Sequence, residues 1–272
     1  MLERLYYELS IAAARQLGLV TRAQVARLSD DNAAIDRLCE AKLLQVLDTD
    51  VFQLPSSSVA RRYTYPFAAW LALAPDRFRW ERPQAPTDDA VLSHESAAGL
   101  HGLGVLALPR TVFTAPQQFP APQAVIVHVD RLAPEDITVV EGVPVTTPRR
   151  TILDLVRNGV DHEDVGRVLD DGLRLDVVDL RAVYDEMVPL ATEFGFPAGG
   201  AAFLRYFLPD VTPASLSPRN LRAYAELAAP EEVAGVHARL VGLLDGFGAP
   251  NGVVDALSRD VAEEIVGRLR WG

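Results

Sequence analysis

Lysine and cysteine are nearly missing from this 272-residue chain. Of its 26 basic residues Lys42 is the only lysine, so the other 25 are arginines. A lysine-dependent active site would have to use Lys42, which sits in none of the usual motifs. That excludes a P-loop lysine, a Schiff-base lysine, a kinase-type lysine and the lysine of the common restriction-nuclease site. Gly-x-Ser-x-Gly, His-Glu-x-x-His and paired Cys-x-x-Cys are lacking as well, so no catalytic residue, metal site or cofactor is expected. The single cysteine, Cys39, cannot form an intrachain disulfide and fits a reducing cytoplasm. No apolar run reaches the roughly 20 residues that span a bilayer. Met1-Leu2-Glu3-Arg4-Leu5 has no basic start leading into an apolar segment, so neither a signal peptide nor membrane contact is expected. Net positive charge is lacking too: the chain carries −11, which opposes nonspecific attraction to a polyanion.

What is present is globular. Hydrophobic residues make up 49% and charged residues 23%, an ordinary globular balance, and the length allows one large or two to three small domains. Leu2, Leu5, Tyr6, Leu9, Ala12 and Ala13 form a helical stripe that Gly18 stops. Thr21 with Gln24 is a capping-box start for a short helix through Leu28. Ser29-Asp30-Asp31-Asn32 is a turn, and Ile35, Leu38 and Cys39 give a third helical face with Cys39 on the core side. Leu43 to Leu47 and Val51 to Leu54 flank Asp48-Thr49-Asp50 as a hairpin. Three helices and a hairpin in about 55 residues is the layout of a winged helix-turn-helix. A linker follows at Pro55-Ser56-Ser57-Ser58, then a helix over Tyr65 to Ala74. Strands are expected at Val112 to Ala115, Ala124 to Val129, Ile137 to Val140 and Val143 to Thr146, and helices from Pro148 onward. The predicted class is α+β. It comprises an N-terminal winged helix-turn-helix (1–56), a mixed α+β middle domain with mainly antiparallel strands (57–180) and a helical C-terminal region (181–272).

Two stretches stand out. In the first, Ser93-His94-Glu95-Ser96 with His101-Gly102-Leu103, Ser93 suits an N-cap and Glu95 complements the helix dipole. His94 and His101 share a face but are separated by a rise of about 10 Å, too far for one zinc ion with ligands at about 2 Å. Packing, partner contact and catalysis remain open for them. In the second, Thr147-Pro148-Arg149-Arg150-Thr151 starts a helix with a Thr N-cap and Pro at the first helical position. Arg149 and Arg150 oppose the macrodipole there by about 0.3–1 kcal/mol each. Either Arg150 pairs with Asp154 one turn on, or Arg149 and the helix start form an anion or partner contact. Asp170, Asp171, Asp176 and Asp179 match no loop of metal ligands and read as a solvated acidic face.

On Ser93 to Gly104 and Val143 to Leu155, the chain resembles the AbiEi family, the antitoxins of type IV toxin–antitoxin pairs. The resemblance covers about residues 1 to 180. It implies an antitoxin that represses its own operon by binding an inverted repeat in the upstream operator DNA. It also implies opposition to a cognate nucleotidyltransferase-like toxin, by direct contact or otherwise, and leaves a homodimer open. Alternatives are a stand-alone transcription regulator and a protein-interaction module with a degenerate winged helix.

The DNA-reading residues in this layout are Thr21, Arg22, Gln24, Arg27, Asn32, Arg37 and Lys42. Relatives usually carry a basic wing with a glycine tip, whereas this chain has Leu47-Asp48-Thr49-Asp50. Residues 1 to 55 hold six basic side chains against eight acidic ones. Affinity for DNA scales with the phosphates neutralised, so modest, salt-sensitive binding is expected.

Overall fold

A computed structural model of the chain describes residues 2–31, 33–57, 59–244 and 251–271. The chain forms two compact units, residues 1–101 with 107–147, and residues 102–106 with 148–272. Neither division falls at 56 or at 180. The helices on both sides of 180 share one body, and the linker after Leu54 is tied down, with the Ser57 hydroxyl donating to the Leu17 carbonyl at 2.9 Å.

The first unit starts with α1 (Leu2–Ala14), β1 (Leu19–Thr21), α2 (Arg22–Leu28) and α3 (Ala34–Glu40). The hairpin of β2 (Gln45–Asp48) and β3 (Val51–Gln53) follows. The three expected helices and the hairpin are present, and α1 ends three residues before the expected stop. β1 adds a strand the sequence did not reveal, pairing antiparallel with β3 to give the order β1-β3-β2. Leu5, Leu9, Val25, Ile35, Leu38 and Phe52 close a core of their own. Cys39 packs at its edge, where burial pushes its thiol pKa up.

α4 (Arg61–Ala72) starts four residues earlier than its apolar run suggests. After it come β4 (Val91–Leu92), α5 (His94–His101), β5 (Thr111–Ala115), β6 (Val125–Val129), β7 (Ile137–Val140) and β8 (Val143–Thr146). Their five-stranded sheet runs β6-β5-β4-β8-β7. The four expected strands form, β4 adds a central one that was not expected, and the pairing is mixed rather than mainly antiparallel. β4–β5 and β7–β8 are antiparallel, whereas β5–β6 and β4–β8 are parallel. Within this sheet the β7–β8 pair has a two-residue turn, Glu141-Gly142, with φ of 49° and 83° as a primed hairpin turn requires. Phe67, Trp70 and Leu71 of α4, Ala97 and Leu100 of α5, and Phe113 and Val145 of the sheet build the second core.

The second unit is helical: α6 (Pro148–Arg157), α7 (His162–Arg174), α8 (Leu180–Met187), α9 (Ala191–Phe194), α10 (Gly200–Phe207), α11 (Pro218–Ala228), α12 (Pro230–Leu244) and α13 (Asn251–Trp271). Asp245-Gly246-Phe247-Gly248, whose glycines mark a break between two helices in the sequence, lies outside the described residues. Phe196, Phe203 and Phe207 meet edge-on or tilted at 4.9–6.4 Å between centroids. α7 and α10 cross closely, because a Cβ on Gly166 would lie 2.2 Å from the Phe207 carbonyl oxygen. Among the described residues no helix is long and apolar enough to cross a membrane.

Candidate functional site

The residues assigned to DNA reading separate by burial. Thr21 and Gln24 are fully buried. Their capping box forms as expected, with each backbone N–H donating to the other's side-chain oxygen at 3.1 Å. The rest of their bonding faces inward. Thr21 donates its hydroxyl to the Pro75 carbonyl. The Gln24 amide donates to the Arg77 carbonyl at 2.8 Å and accepts from Gln16 at 2.7 Å. Every strong polar atom of these side chains is committed within the protein, so neither meets a ligand. Asn32 lies outside the described residues.

The arginines are exposed, and carboxylates hold them. Arg22 donates to Asp50 at 2.9 Å, so the hairpin tip is drawn back onto α2. Arg37 pairs with Asp31. Arg27 takes both oxygens of Glu81 at 2.6 and 2.8 Å and donates to the Asp76 carbonyl at 2.7 Å. This fork, helped by the Phe78 N–H at 2.9 Å, brings the Glu81 carboxyl from 4.5 to about 2 and raises the Arg27 pKa. Lys42 is exposed, and its side chain makes no hydrogen bond or ion pair with a described residue. The outer side of α3 presents Asp36, Arg37 and Glu40, a poor surface for phosphate.

The α5 start is more constrained than its sequence suggests. Ser93 follows β4, donates its N–H to the Val112 carbonyl at 3.0 Å, and accepts from the Thr114 hydroxyl at 2.9 Å. Its oxygen also lies 2.8 Å from His94 Nδ1. His94 has a left-handed backbone, φ 53°, which costs a non-glycine residue about 1–3 kcal/mol. Its ring is buried and stacked on His128, centroids 4.4 Å apart. His101 meets the Thr146 carbonyl at 2.7 Å through Nε2, and burial holds its pKa below the usual imidazole value. The two histidines therefore serve different neighbours. Among the described residues no group of three or more metal-ligating side chains is brought together.

At α6, Arg150 donates to Asp154 at 2.7 Å, the pairing its spacing suggested, and Arg149 meets Glu186 of α8. These carboxylates offset the two cations at the helix start. The acidic residues further on are half-buried or exposed, and three of them also bind within the protein. Asp171 accepts from the Gly104 N–H at 2.8 Å, and Asp179 caps α8 through Ala182 at 3.1 Å. Asp176 gathers Ser217 at 2.7 Å, Arg219 at 2.8 Å and the Asn220 amide at 3.2 Å.

The structure adds a cluster that sequence reasoning missed. Phe78 and Trp80 stack 4.7 Å apart and 2° from parallel. Arg27 lies 4.9 Å from the Phe78 ring and Arg15 4.2 Å from the Trp80 ring. Arg77-Phe78-Arg79-Trp80-Glu81-Arg82 was the available signal: three arginines and two aromatics within six residues of an acidic chain. The sequence has no significant match to a protein-family model or to a curated protein.

Proposed function

We propose that the chain is an AbiEi-like antitoxin. In this reading residues 1–56 are a winged helix that binds operator DNA, and the protein counters a nucleotidyltransferase-like toxin in the cytoplasm. The observation that carries the DNA-binding part is the order helix, strand, helix, helix, hairpin on a three-stranded antiparallel sheet β1-β3-β2. α3 then takes the place of the helix that enters the major groove. Arg149, the more exposed of the two arginines at the α6 start, provides the partner contact, and Arg150 is given over to Asp154.

Operator affinity should be low. Of the six basic residues in 1–55, Arg4, Arg22, Arg27 and Arg37 hold carboxylates, leaving Arg15 and Lys42. Two phosphate contacts correspond to a log–log salt slope of about −2, against about −5 if all six engaged. Gel shifts with the upstream inverted repeat at several salt concentrations test this. A slope near −2 fits, and no shift at low salt rejects DNA binding. The ion pairing specifically favours a second reading, a winged helix that contacts protein instead of DNA. In that case the fragment fails to shift while the toxin is still neutralised, and Arg149→Ala lowers that neutralisation with little change in melting temperature.

A further inference from the structure

Within the first unit a groove of about 540 Å³ opens beside the Phe78–Trp80 stack. Arg15, Arg79, Trp80, Gln84, Val139 and Pro144 line it. Arg82 and Asp89 lie at its base, bound to each other by two short hydrogen bonds at 2.9 and 2.5 Å and both buried. Asp89 is therefore already matched, and its charge does not oppose an incoming anion.

Arg15 and Arg79 differ from the neighbouring Arg27 and Arg82, which hold carboxylates. Neither guanidinium makes an ion pair or a side-chain hydrogen bond with a described residue, although the chain has an excess of acid. Both are nonetheless held in place. Arg15 lies over the Trp80 ring. Arg79 lies against the β7–β8 turn, where a Cβ on Gly142 would come within 2.9 Å of its guanidinium carbon. Its own backbone N–H is anchored on Gln16 at 3.3 Å. Two positioned guanidinium forks facing one concavity are suited to the oxygens of a phosphoryl group. The volume lies in the range of small-molecule sites, and Val139 and Pro144 give it an apolar wall. The net charge of −11 disfavours a long polyanion there.

We propose that this groove binds a small organic phosphate of nucleoside size, with Arg15 and Arg79 on the phosphoryl oxygens and the organic part against Val139 and Pro144. The proposal does not need the DNA-binding reading, but the two share Arg15, so a bound phosphate would compete with operator DNA for that side chain. The test is calorimetric titration of the full chain with ADP, adenosine and pyrophosphate. ADP should bind saturably and adenosine should not. Arg15→Gln and Arg79→Gln should each weaken ADP about ten-fold or more, while Lys42→Gln leaves it unchanged. A measurement on the unaltered chain needs no variant to fold: ADP should protect Arg15 and Arg79 from phenylglyoxal, read by peptide mass spectrometry. Absence of ADP binding at millimolar concentration overturns the proposal, as does adenosine binding equally well or a lack of protection. A 20-base-pair duplex that protects both arginines where ADP and pyrophosphate do not would also overturn it, and would make the groove a DNA-backbone site.

Discussion

Gln24 illustrates how one side chain can satisfy a local rule and a tertiary one together. Its oxygen closes the capping box and accepts from Gln16, while its nitrogen reaches the Arg77 carbonyl. Gln24→Ala leaves several of these buried groups unmatched, so a loss of about 2–3 kcal/mol in urea unfolding is expected. Glu81 sets a second prediction. Its folded pKa of about 2 lies below the ordinary 4.5. A depressed carboxyl stabilises the fold above its unfolded pKa, and that contribution is lost as pH falls from about 4.5 toward 2. Melting temperatures over this window should fall less steeply for Glu81→Gln than for the parent chain. Equal slopes would mean that the Arg27 fork is not coupled to folding.

At the level of elements, close backbone approach makes Gly166 indispensable. A methyl there meets a backbone oxygen, which cannot rotate away, so α7 and α10 would have to separate. Gly166→Ala should cost about 1–3 kcal/mol as an overpacked contact, although alanine is the better helix former. An unchanged urea midpoint would show that the crossing can relax. The same distinction between local and distant causes governs what the sequence made legible. The capping box at Thr21, the Glu141-Gly142 turn and the Pro148 start are encoded within four residues, and all three form as read. β1 is only Leu19–Thr21, the last residue also serving as the cap of α2, and its partner β3 is some thirty positions on. No periodicity reports such pairing. The His128 stack on His94 is equally remote in sequence, and the parallel β5–β6 alignment, though nearer, is also beyond the reach of any local pattern. Burial hid the candidate site in the same way: Thr21 and Gln24 have the chemistry of DNA contacts, and only the packing of residues 75–77 over α2 removes them.

For the whole molecule, the chain does not finish one unit before starting the next. Residues 102–106 belong with the helical unit, although they lie between α5 and β5 of the other. The Gly104 N–H is held there by Asp171. A fragment of residues 148–272 should therefore melt at a lower temperature than the same fragment supplied with a peptide of residues 102–106. Titrating that peptide while following helical circular dichroism measures the difference, and no change would mean that the segment is dispensable. The interleaving also restricts how such a protein can be recombined. A crossover at residue 147 that imports a foreign helical unit would leave the host's 102–106 segment facing a surface it did not evolve with. Functional chimaeras would need two coordinated exchanges, so the two units are bound to be inherited as a pair.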